Sequence, residues 1–137
     1  MRFLSLLLPA ALLLLPPTPG HAGEFDGKKP FVCTLVDMAS CVPGHECARE
    51  SADAIGVPHF FTVDVAKTQV SETSPSGSTG RTSRIDRIDH AAGSLLLSGV
   101  EGDRGWTASV GEDSGKLSLA VVGDRVGFVV FGDCLIR

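Results

Sequence analysis

Cysteines carry the most definite chemistry in this chain. Four are present, Cys33, Cys41, Cys47 and Cys134, and four cysteines can pair in three ways. Cys41 and Cys47 share one short stretch with Pro43 and Gly44, a spacing that suits a local bridge. Cys33 lies in the first strand-like run and Cys134 just beyond the last. A bond between those two would close a loop of about a hundred residues, worth roughly 4 to 5 kcal/mol on the chain-entropy model. The competing chemistry is a metal site of all four thiols, or of Cys47 with His45. Zinc thiolate sites are usually built on two close cysteine pairs, whereas here seven and five residues intervene between the first three cysteines. Two disulfides are the expectation, with no metal and no cofactor.

The remaining reactive side chains are more scattered. Asp86, Asp89 and His90 form the densest polar cluster, interleaved with Arg84 and Arg87. Carboxylates alternating with arginines read as a solvated face of weak ion pairs. General acid–base work would need a second cluster converging on this one, and only His45 and His59 remain to supply it. No Gly-x-Ser-x-Gly elbow marks a hydrolase nucleophile, although a cryptic Ser-His-Asp site stays open as a third reading. Gly111 to Lys116 imitates a phosphate loop, but three residues rather than four separate its glycines and Leu117 follows the lysine. It is expected to be a hairpin turn. His59 beside Phe60 is expected at a sheet margin. Trp106, the single tryptophan, is expected to be the largest anchor of the core; exposed, it would instead be an interface hot spot.

These groups must be positioned by a small domain. Met1-Arg2, the apolar run from Phe3 to Leu15, Pro16-Pro17 and then Gly20-His21-Ala22 have the form of a secretory signal peptide cleaved after Ala22. The run is too short for a spanning helix, and no cysteine beside the cleavage point could carry a lipid. Membrane insertion after cleavage is not expected. Loss of Arg2 makes the mature chain one unit more acidic than the −4 of the full sequence. Without a basic stripe, nucleic acid is a poor partner. Tyr is absent, as is Asn, so there is no N-glycosylation acceptor. Arg outnumbers Lys, which fits the coding bias of a GC-rich bacterium, and a bacterial periplasm or exterior is the expected location.

Period-2 alternation then supplies the elements. Residues 23–30 are small and charged, and read as a flexible lead-in to one domain over residues 31–137. Pro30 to Val36 forms the first strand, with Phe31, Cys33 and Leu35 on one face. Met38 to Val57 reads as irregular, with one or two helical turns between Cys47 and Ala54. His59 to Val65 is the second strand, continued more weakly to Glu72. Thr73 to Ser83, rich in Ser, Gly and Pro, reads as a flexible loop without an apolar anchor. Five strands follow: Arg84–Asp89, Ser94–Val100 (apolar on both faces, so covered on both), Gly105–Val110, Lys116–Val121 and Val126–Phe131. Gly123-Asp124 is the hairpin signal before the last. Seven strands, and no helix long enough to cover a sheet, predict an all-β antiparallel meander curled into a small barrel or compact sandwich and closed by a disulfide.

Phe31-Val32-Cys33-Thr34, the Cys41–Cys47 loop and Val130-Phe131-Gly132-Asp133-Cys134 together resemble a group of small, uncharacterised secreted four-cysteine proteins of alphaproteobacteria, which brings no activity with it. Ser74-Pro75-Ser76-Gly77, with Trp106 further on, is similar in part to the periplasmic inhibitors of c-type lysozyme. Those carry a Ser-Ala-Ser-Gly-Ala-Arg-Tyr segment and a later Phe-Trp segment. Here Pro75 replaces Ala, no Tyr is present, Arg81 lies too far along, and no Lys follows Trp106 at the expected distance. That likeness implies a barrel whose end strands are joined by a disulfide, and a binding role for Ser74 and Ser76. The sequence as a whole predicts a non-enzymatic domain that acts by binding an unknown protein or small molecule. The Cys41–Cys47 and Thr73–Ser83 loops are its expected contact surface.

Overall fold

The structure is a computed structural model that describes residues 23–74 and 79–136. The leader, its cleavage site at Ala22, and Ser76 lie outside the described residues. The fold is all-β, 62% strand and 4% helix, an antiparallel sheet curled into a half-barrel. Its strands are β1 (Phe31–Cys41), β2 (Ala48–Arg49), β3 (Phe60–Asp64), β4 (Gln69–Thr73), β5 (Thr79–Arg84), β6 (Arg87–Ala91), β7 (Ser94–Glu101), β8 (Arg104–Gly111), β9 (Lys116–Gly123) and β10 (Val126–Ile136), with one helical turn, α1 (Ala52–Ile55), between β2 and β3. The spatial order is β5-β4-β3-β1-β10-β9-β8-β7-β6, with β2 paired to β1.

Ten strands replace the seven expected from the sequence. The additional ones are β2, β4 and β5. The polar run Gln69–Thr73 pairs with Phe61–Asp64 on one side and with β5 on the other, so Thr73 and residues 79–83, expected in a flexible loop, belong to paired strands. Backbone ladders hold these strands where the side chains show no apolar alternation. Arg84–Asp89 is likewise redistributed: Arg84 ends β5, Ile85 is buried at a corner, and β6 starts at Arg87. Met38 to Cys41, expected as irregular, continues β1 past a bulge between Leu35 and Asp37. The bulge ejects Val36 to solvent and lets both Leu35 and Met38 face inward.

Alternation places the core on the concave face. Phe31, Cys33, Phe61, Val63, Leu95, Leu97, Val110, Leu117 and Val130 are all buried there. The outer face is uncovered: Val100, Val122, Phe131 and Leu135 are exposed and Leu96 is only half-buried. The expectation that β7 is covered on both sides is therefore corrected. Turn chemistry sets the register of the meander. Ala92-Gly93 turns β6 into β7 with both residues at positive φ (50° and 77°), the backbone that a two-residue hairpin requires. The last hairpin turns on Asp124-Arg125, one residue later than the glycine signal predicts, with Arg125 at φ 61°.

Both expected disulfides form, Cys33–Cys134 and Cys41–Cys47. Cys33 and Cys134 sit directly opposite one another in the β1–β10 ladder, so the first and last long strands are adjacent and covalently tied. The lead-in is also anchored, contrary to its charged composition. Phe25 is buried and meets Phe31 edge-on, with ring centroids 5.6 Å apart. Its N–H donates to the Glu112 carbonyl at 3.0 Å. Gly115 makes room for it: a Cβ there would come within 2.7 Å of the Phe25 ring.

Candidate binding cavity

The two edge strands of the sheet, β5 and β6, are consecutive in the chain, and the corner between them stitches the wings together. The Ile85 N–H donates to the Thr68 carbonyl, in the β3–β4 turn, and the Asp86 N–H donates to the Ser98 carbonyl of β7, each at 2.8 Å. Gly99 allows the close approach. A Cβ on it would strike the Arg84 carbonyl and come within 2.7 Å of the Trp106 ring. Across this seam Trp106 Nε1 donates to Ser83 Oγ at 3.0 Å. Trp106 is thus half-buried at a rim, packed against the core without being inside it. It is neither the enclosed anchor expected from its strand nor a free surface ring.

Between the wings lies a cavity of about 380 Å³, within the size range of small-molecule sites. Aliphatic side chains from both wings form its walls, among them Val63, Leu97, Ala108, Val110, Leu119 and Val121. One side of the mouth is formed by Ile55 at the end of α1 and by the strap that follows it, residues 56–58. Ser51 starts that helical turn by accepting the Ala54 N–H, and Gly56 ends it in the left-handed region at φ 67°. Arg81 latches the strap: its Nη2 donates to the Gly56 carbonyl at 2.7 Å while its Nε lies 3.5 Å from Glu72 Oε2. Glu101, Asp103 and Arg104 complete the rim. Arg104 is half-buried, with its guanidinium 5.3 Å from the centroid of the Phe128 ring.

The reactive groups singled out in the sequence are not brought together. Asp86 pairs with Arg84 at 2.9 Å and Asp89 with Arg87 at 3.2 Å, all four at the surface. His90 Nδ1 lies 2.6 Å from Glu112 Oε1, and His59 Nε2 lies 3.0 Å from Asp53 Oδ1. Neither histidine lines the cavity. His59 just precedes β3, at the sheet margin expected for it. Gly111 to Lys116 is the β8–β9 turn. All four cysteine sulphurs are committed to disulfides, and among the described residues no group of three or more His, Cys, Asp or Glu could hold a metal ion. Ser74 is half-buried and partnered, directly after β4.

Alternation missed the cavity because its walls come from strands distant in sequence and its depth from the curl of the sheet. A usable signal was nonetheless present: Arg104 shares parity with Trp106, Ala108 and Val110, so a charged residue continues the inward face of β8. Comparison of the chain with protein-family models, curated proteins and solved structures returns no match.

Proposed function

We propose that this chain is an exported, non-enzymatic binding protein that holds a small, largely apolar molecule in the hollow of its half-barrel. The observation that carries this reading is the cavity itself: a mostly apolar lining, with Glu72, Arg81, Ser83, Glu101, Asp103 and Arg104 as its polar members. Apolar walls supply affinity by removing ligand surface from water, at about 25 cal/mol per Å², while a few rim groups orient the ligand. The two disulfides fit an oxidising compartment. With the leader pattern at residues 1–22, they support release into a bacterial periplasm or to the exterior.

Trp106 is the single tryptophan, in a chain without tyrosine, and it borders the cavity, so its emission is a one-source reporter. Titration with decanol is expected to shift that emission saturably, with one molecule bound per chain by calorimetry. Ala108→Phe would fill the hollow from the middle of β8 and abolish the response. Its circular dichroism should remain that of a β protein. Absence of a saturable response in the wild type, or equal binding by the filled variant, would overturn the reading.

A further inference from the structure

We infer that the ligand of this hollow is a medium-chain anionic amphiphile whose carboxylate head is taken by Arg104 at the mouth. This rests on the binding function proposed above and names the ligand class. Two arginines border the cavity, and they differ in what they are free to do. Arg81 is already engaged, by Glu72 and by the Gly56 carbonyl. Arg104 forms no ion pair among the described residues, although it is half-buried. Its guanidinium rests over Phe128, a cation–π contact that holds the charge in place while leaving its N–H donors unspent. A planar fork with free donors matches a carboxylate in two parallel hydrogen bonds.

The rim also carries Glu101 and Asp103, and these would oppose an anion. Both are exposed, so water and salt screen them. Arg104, partly shielded from solvent, acts through a lower effective dielectric. Glu101, Asp103 and Arg104 sum to −1, but Arg104 alone of the three is partly withdrawn from water, so its charge is the least screened. Inside, walls such as Leu97, Val110 and Val121 offer no hydrogen bond to a second polar group, which disfavours sugars and nucleotides. The cavity of about 380 Å³ lies in the size range of small-molecule sites. A single medium-length alkyl chain with one charged end matches a hollow of that size with one arginine at its mouth.

Three probes of equal chain length test this: decanoate, decanol and decylamine, each titrated against the full mature protein by calorimetry and Trp106 emission. Decanoate is expected to bind roughly tenfold or more tighter than decanol, the increment of a charge-assisted pair, and decylamine to bind weakest. Arg104→Gln should bring the decanoate-to-decanol ratio down to about one. Lys116→Gln removes one positive charge outside the cavity, where Lys116 pairs with Asp133, and should leave the ratio as in the wild type. Equal binding of all three probes, or a ratio unaffected by Arg104→Gln, would overturn the head-group assignment while leaving apolar binding intact. Tightest binding of decylamine would overturn it in favour of Glu101 and Asp103. If no probe binds, the proposed function itself fails.

Discussion

The two ends of the half-barrel are built from the same strands and behave differently. At one end the hollow is plugged: Phe25 enters from outside the sheet, Phe31, Leu95, Val110 and Leu117 close around it, and the Cys33–Cys134 bond ties the adjoining strands. At the other end Trp106, Arg104 and the strap after α1 surround an opening. Strand alternation is equally regular at both. What separates core from cavity is whether an element beyond the sheet supplies a side chain to fill the curl.

Breaking the plugged end should have the largest effects. Replacing Cys33 and Cys134 together by alanine is expected to cost about 4 to 5 kcal/mol on the loop-entropy model, against about 2 kcal/mol for the short Cys41–Cys47 loop. Urea unfolding of the two double variants checks the order. Equal losses would mean that the long-range bond does not hold the sheet ends together. Phe25→Ala comes next, at about 3 kcal/mol, the lower end of the range for an excised core phenylalanine. It should also extend the hollow toward the plugged end, so that dodecanol gains on decanol relative to the wild type. A variant that lost stability without changing this chain-length preference would show that the two ends do not communicate.

This contrast also explains what could be read in the sequence. β8 and β9 were legible because apolar and small polar residues alternate through Ala108-Ser109-Val110 and Leu117-Ser118-Leu119, and β7 because Leu95-Leu96-Leu97 is a short apolar run bounded by turn signals. The disulfides were legible from where Cys33 and Cys134 fall relative to the end strands. β4 and β5 were not, because Gln69–Thr73 and Thr79–Arg84 carry almost no apolar side chains, so that their ladder partners rather than a buried face specify them. Phe25 was hidden for a related reason: one aromatic among Gly23, Glu24, Asp26 and Gly27 has no period. The cavity depends on curl and on the seam at Gly99, Ser83 and Trp106, none of which is local in sequence. Ser74, expected as a contact residue from a partial motif, is half-buried directly after β4, and Ser76 lies outside the described residues.

At the open end the expected effects are smaller. Ser83→Ala leaves Trp106 Nε1 without its partner across the seam, at a cost of about 1 kcal/mol. The indole should gain mobility, read as lower emission anisotropy in the absence of ligand. Ser83→Thr retains a hydroxyl and should restore most of the loss. If alanine left anisotropy and stability unchanged, the seam would be held by the Ile85–Asp86 corner alone.

The smallest effect belongs to the lead-in that delivers Phe25. The Lys28 ammonium and the Lys28 backbone N–H both bond the Asp26 carboxylate, and they hold its pKa below the ordinary 3.8. The same pair raises Lys28 above 10.5. Asp26, being depressed, contributes stability that is fully present above about pH 4 and is lost as pH falls through the folded value. Lys28, being raised, contributes stability that is present below 10.5 and is lost as pH rises through its folded value. Asp26→Asn should therefore lower Tm slightly at neutral pH. The gap from the wild type should close below about pH 3, and it should narrow with added salt because Lys28 is exposed. A gap that persisted unchanged at low pH would assign the effect to the Asx-type turn at Lys28 rather than to charge, and the plug would then depend on backbone geometry instead of on the ion pair beside it.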